Sequence, residues 1–183
     1  PGASAERFGW NMSHRSKGAS AHPLGTRPRG VGVLSVQDWD AYRDKDHWAD
    51  PTECPDCHAV YLGGRWRWAV APAHAPQHRC PACRRTVDHF PAGVVTLGGA
   101  WFEANRAEVM ALVHHHADRA MQEHPMQRLM HTEENAGEVT LHTTDMHLAH
   151  GLGEALQHAY KGDLSARYER GQTVMRVHWS RKR

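Results

Sequence analysis

The stretch Cys54-Pro-Asp-Cys57-His58-Ala59-Val60-Tyr61-Leu62-Gly63-Gly64-Arg65-Trp66-Arg67-Trp68, closed further on by Cys80-Pro-Ala-Cys83, contains every cysteine of the 183-residue chain. Each pair is a C-P-x-C turn that aims two sulfurs at one point. Twenty-two residues, His58 to Arg79, separate the pairs, which suits a ribbon with a long hairpin. Cys54, Cys57, Cys80 and Cys83 together satisfy a tetrahedral Zn²⁺ and leave no open position, so the expectation is one structural zinc ion and no metal catalysis. The alternatives are two disulfides, or redox pairs of the thioredoxin kind. A redox site needs only one pair, set between a strand and a helix.

Between the pairs, Gly63-Gly64 reads as a hairpin turn. In a strand, Arg65 and Arg67 fall on one face and Trp66 and Trp68 on the other. The indoles read as core of a very small module, and the arginines as a row for phosphate contact. Arg79, Arg84 and Arg85 flank the second turn and extend that row. Upstream, Val36, Trp39 and Tyr42 or Arg43 share a face of one short helix ended by Pro51. Its aromatics, with Trp48, are expected to pack beside the zinc module.

From Val94 the pattern changes. Val94–Leu97 reads as a strand, and a helix runs from about Arg106 to His124. Asn105 and Glu108 have capping-box spacing, and Val109, Leu112, Val113, Ala117, Ala120 and Met121 form the apolar stripe. Two strands, 127–133 and 138–144, flank a turn at Asn135-Ala136-Gly137. Asp145 then caps a helix over 146–160 striped by Leu148, Ala149, Leu152, Ala155, Leu156 and Ala159. Gly162 stops it, and 164–170 with 173–179 form a last hairpin about Gly171. The expected fold is α+β: a four-cysteine zinc ribbon followed by a small β-α-β-β-α-β-β domain with helices on one side of the sheet. Gly151 and Gly153 inside the second helix point to close packing against the sheet. The expected division is a disordered basic tail over 1–30, a zinc-ribbon domain with its helix over 31–92, and an α+β domain over 93–183.

Net charge is +2, but it is blocked: +4 over residues 1–30, −4 over 31–53, +3 over 54–90, −3 over 91–137 and +2 over 138–183. Basic blocks of this kind suit an anionic partner such as nucleic acid. Arg167, Arg170 and Arg176 of the last hairpin add a second cationic surface. No apolar run approaches membrane-spanning length and no signal-peptide core stands near the N-terminus, so the expected setting is a reducing cytoplasm without membrane. Met12 offers a native start, with residues 1–11 added upstream. Seventeen histidines are unusual, and His114-His115-His116 sits inside a helical pattern, where adjacent side chains diverge and cannot share one metal. Zincin, nucleophile-elbow, Walker and dinucleotide motifs are absent, so neither a small-molecule substrate nor an enzymatic role is indicated.

These residues carry a resemblance. The run Cys54–Tyr61, Gly64–Trp68, Cys80–Cys83, Gly93–Gly99 and Thr143–Leu156 resembles a group of small uncharacterised bacterial zinc-ribbon proteins, over most of 36–180. That group is similar in turn to the N-terminal part of the archaeal and eukaryotic large-ribosomal-subunit export adaptor, the nonsense-mediated-decay-related factor family. His58 departs from it, standing where such turns commonly have Gly. The resemblance implies binding to ribosomal RNA or a ribosomal subunit, and no export role. The competing expectation is a zinc-ribbon adaptor that docks a protein partner without nucleic acid.

Overall fold

A computed structural model describes residues 40, 42, 48–135, 137–168 and 174–183. The expected tail over 1–30, most of the short helix expected ahead of Pro51, Arg170 and the turn about Gly171 lie outside the described residues. Among them the chain is α+β, with two sheets and four helices.

The smaller sheet has order β1(Thr52–Glu53), β2(Val60–Leu62), β3(Arg65–Arg67), all antiparallel. Its β2–β3 turn uses Gly63 and Gly64 at φ 62 and 77, a left-handed pair that glycine adopts without a Cβ clash. Trp48 packs edge-on against Tyr61 and Trp66, ring centroids 5.2 and 5.0 Å away, so this aromatic does pack beside the cysteines. The chain after β3 returns alongside β1: Glu53 N–H donates to the Pro76 carbonyl and His78 N–H to the Glu53 carbonyl, both at 2.9 Å. That return delivers the second cysteine pair beside the first.

The second pair then departs from a turn-only reading, because it opens α1(Pro81–Asp88). Cys80 is the N-cap, its sulfur accepting from Cys83 N–H, and Pro81 follows at a first-turn position, where a missing N–H costs nothing. The Cys80-Pro-Ala-Cys83 spacing therefore serves both to converge two sulfurs and to start a helix.

The larger sheet has order β5(Leu129–Asn135), β6(Glu138–Thr143), β4(Gly93–Gly98), β8(Met175–Ser180), β7(Asp163–Tyr168). Only β4 and β8 run parallel. Alternation along the strands buries Val95, Leu97, Val139, Leu141, Val177 and Trp179 on one face. α4(Met146–Tyr160) lies on that face with Leu148, Ala149, Leu152 and Leu156, and α3(Arg106–Glu123) packs on α4 through Val109, Val113 and Ala117. Asp145 caps α4 as its position suggests, one carboxylate oxygen accepting from His147 N–H at 2.8 Å and Leu148 N–H at 3.1 Å. Gly153 explains itself by contact: a Cβ there would stand 2.7 Å from Val177 Cγ1 and 2.8 Å from Leu164 Cδ1, so only glycine lets α4 settle this low on the sheet.

Asn105 does not form the expected capping box. An additional short helix, α2(Ala100–Ala104), ends immediately before it, and Asn105 Nδ2 donates instead to the Trp101 carbonyl at 2.8 Å. The side chain serves the end of α2 rather than the start of α3.

Candidate metal centre

Cys54 and Cys57 lie in the tight loop between β1 and β2. Cys54 N–H donates to the Ala59 carbonyl at 2.8 Å and His58 N–H to the Cys54 carbonyl at 2.9 Å, folding the loop back on itself. His58 takes φ 61, a left-handed conformation that glycine meets without strain. Its Nδ1 lies 2.9 Å from Glu53 Oε1, a local bond that offsets part of that strain.

The four sulfurs all lie within 4.8 Å of one another, and none is in a disulfide. Cys57 Sγ is 3.7 Å from Cys80 Sγ. A tetrahedral ion with metal–sulfur bonds of about 2.3 Å has a sulfur–sulfur edge of about 3.8 Å, so the spacing fits a zinc-class cation. Cys54 and Cys80 are fully buried. Four thiols this close cannot all ionise unaided. Cys57 is held far below its ordinary pKa by hydrogen bonds from Cys80 and Cys83 and, more weakly, Arg128. The same contacts, led by Cys57, drive Cys80 upward and Cys83 to about 11. These opposite directions describe one arrangement in which the Cys57 thiolate is favoured while Cys80 and Cys83 hold their protons. A bound divalent cation removes that conflict by replacing the protons.

Arg128 is the partner that the sequence did not disclose. It lies just before β5, more than forty positions after the last cysteine, and no spacing rule links it to them. Its Nη2 donates to Cys57 Sγ at 3.1 Å and its Nη1 to Cys83 Sγ at 3.4 Å, while its Nε donates to the Pro125 carbonyl at 2.6 Å. With a divalent cation bound, four thiolates would leave the centre at a net −2 charge, part of which this half-buried guanidinium would offset. Its plane also faces the Trp68 ring, 5.6 Å from the centroid. Outer-shell groups of this type tune metal affinity, so Arg128→Ala is expected to weaken zinc binding about 10- to 100-fold. A chelator competition on the folded variant reads this directly, and an unchanged competition curve refutes the role.

Trp68 is not core, contrary to the sequence expectation. It lies beyond the end of β3 and is 43% exposed, its indole N–H donating to the Met121 carbonyl at 2.7 Å. Trp66 does pack against the cysteine cluster.

The arginines divide. Arg65 and Arg67 are exposed and have no ion-pair or hydrogen-bond partner among the described residues. Arg79 is exposed but paired with Asp56. Arg84 is half-buried over the Tyr42 ring. Arg85 corrects the expectation outright. Its side chain is 2% exposed, ion-paired with Asp40 and donating to the Phe90 carbonyl at 3.1 Å, so it braces the end of α1 and presents nothing to a phosphate. Arg167 and Arg176 are exposed and directly opposite each other across β7 and β8. The structure therefore offers two separate arginine pairs in place of one continuous row.

These features define an α+β protein whose four cysteines cluster at a distance compatible with a bound metal such as zinc. No family profile, curated protein or solved structure matches the chain. Among the described residues, no helix is long and apolar enough to cross a membrane.

Proposed function

We propose that the chain is a non-enzymatic zinc-ribbon protein, built around one structural Zn²⁺, that binds ribosomal RNA or a ribosomal subunit. The observation that carries this reading is the presentation of Arg65 and Arg67. They stand on a three-residue strand whose hairpin is anchored at its base by the cysteine centre, and their guanidiniums have no partner among the described residues. A planar guanidinium held on a rigid strand binds phosphate at low entropic cost. Arg167 on the edge strand β7 and Arg176 on β8 add support, because they lie directly opposite each other with both side chains exposed on one face of the sheet. The resemblance of its cysteine turns to small uncharacterised bacterial zinc-ribbon proteins, themselves similar to the ribosomal export-adaptor family, implies the same class of partner.

Sedimentation of the tagged protein through a sucrose gradient tests the reading. Co-migration with a ribosomal subunit that is lost with ribonuclease or high salt is the expected result, and migration at the top of the gradient under every growth condition overturns it. At residue level, Arg65→Ala with Arg67→Ala is expected to lower RNA affinity and to reduce the slope of log affinity against log salt by about 1 to 2, roughly one for each phosphate that is no longer neutralised. Unchanged affinity and slope remove these two arginines from the interface.

One observation favours the protein-adaptor reading. Leu62, Trp68 and Val70 are large apolar side chains exposed on and beside the same hairpin. A partner that persists in a ribonuclease-treated pull-down supports this alternative.

A further inference from the structure

His131 and His142 stand side by side on neighbouring strands of the larger sheet, on the face opposite α4. Their imidazoles are stacked with centroids 3.9 Å apart and planes 13° from parallel. Both Nε2 atoms address one carboxylate oxygen: Glu133 Oε1 is 3.2 Å from His131 Nε2 and 3.3 Å from His142 Nε2. We propose that His131, Glu133 and His142 form a second metal site, for a divalent transition cation of the zinc class, chemically distinct from the cysteine centre.

The backbone is arranged for this convergence. Leu129 pairs with Thr143, yet His131 pairs with His142, so one extra residue, Met130, is accommodated in β5. In a regular antiparallel register His131 would lie opposite Leu141 and Glu133 opposite Val139, both on the core face. The bulge turns His131 and Glu133 onto the face that carries His142. Bulges are recurrent where a strand must re-aim a side chain.

The distances suit an ion. Metal–nitrogen and metal–oxygen bonds of about 2.0–2.2 Å give tetrahedral edges of about 3.3–3.6 Å, close to both donor separations; because an ion lies in the plane of each imidazole it binds, the two stacked rings must splay apart on ligation. His142 is 15% exposed, and neither ring nitrogen makes a well-directed hydrogen bond or has meaningful solvent contact. A buried imidazole without such bonds is costly, and a cation on Nε2 answers one of the two needs. Imidazole and carboxylate donors suit zinc, nickel, cobalt or copper rather than calcium or magnesium. Glu133 is 55% exposed and His131 38%, so an ion held here has a route from solvent. Three protein ligands also leave a coordination position free for water or an anion, which the cysteine centre does not.

Equilibrium dialysis of the whole protein against Zn²⁺ tests the site, with Co²⁺ titration as a spectroscopic readout. Wild type is expected to bind two ions per chain. The first gives the thiolate-to-cobalt charge-transfer band, and the second gives ligand-field absorption without added thiolate intensity. His131→Ala, at a half-buried position, and Glu133→Gln, at an exposed one, are expected to remove the second equivalent and keep the thiolate band, which also verifies that the protein is folded. Replacing His114, His115 and His116 together by Ala is expected to leave both equivalents in place. One ion per wild-type chain, or a second equivalent lost in the His114–His116 variant and retained in His131→Ala, overturns the proposal. None of these readouts depends on RNA or ribosome binding.

Discussion

Stripping the metal with a chelator is expected to unfold the region around the cysteines while leaving the larger sheet folded. The apolar cluster there consists of Cys54, Cys80, Ala82 and Cys83, with Cys57, Trp66 and Met126 packed against it. Three strands of two or three residues and a helix of eight cannot retain this shape on so small a core. Structural zinc sites contribute about 10–16 kcal/mol of apparent binding free energy near neutral pH, far more than a cluster of this size supplies by burial. The larger sheet has its own core of fifteen buried residues, Val95 through Trp179, and needs no ion. Amide spectra should therefore show collapse of signals from 48–90 on chelation and recovery with zinc. Cys54→Ser should reproduce the collapse permanently. Acidification should release the ion as well, since protons compete for each thiolate; the cysteine centre is then most stable at neutral and higher pH and loses its metal as pH falls. Retention of all signals after verified metal removal overturns the structural role.

Trp179→Ala is expected to destabilise the larger sheet and its helices by about 3–5 kcal/mol, the range for deleting a buried aromatic. Trp179 is fully buried on β8, with Trp101 and Tyr160 rings around it at centroid distances of 6.5 and 6.4 Å. Its indole N–H donates to the Lys161 carbonyl at 2.8 Å, tying β8 to the end of α4. Urea unfolding followed by far-UV circular dichroism measures the loss. Trp179→Phe retains most of the volume but orphans that carbonyl, so it should cost less, about 1–3 kcal/mol. Equal stability of Trp179→Ala and wild type would falsify the assignment of this residue to the centre of the core.

Most of the helices and strands were legible in the order of residues. The stripes of α3 and α4, the Asp145 cap, the Gly63-Gly64 turn and the alternation of β4, β6 and β8 are local signals, set by periodicity and by groups a few positions apart. So was the meeting of the four cysteines, because two short-spaced pairs admit few arrangements. What the sequence left open is every contact that depends on how distant segments meet. Arg128 acquired its place beside Cys57 and Cys83 only once the start of β5 was brought to the end of the sheet nearest the cysteines. Arg85 and Arg65 look alike as letters in a basic block, yet one is buried on Asp40 and the other faces solvent. Asn105 has a capping spacing that α2 pre-empts. The meeting of His131, Glu133 and His142 depends on a single bulged residue in strand pairing. Periodicity and turn chemistry act over a few residues and can be read in order, whereas burial and charge pairing are set by neighbours in space, and those exist only in the folded chain.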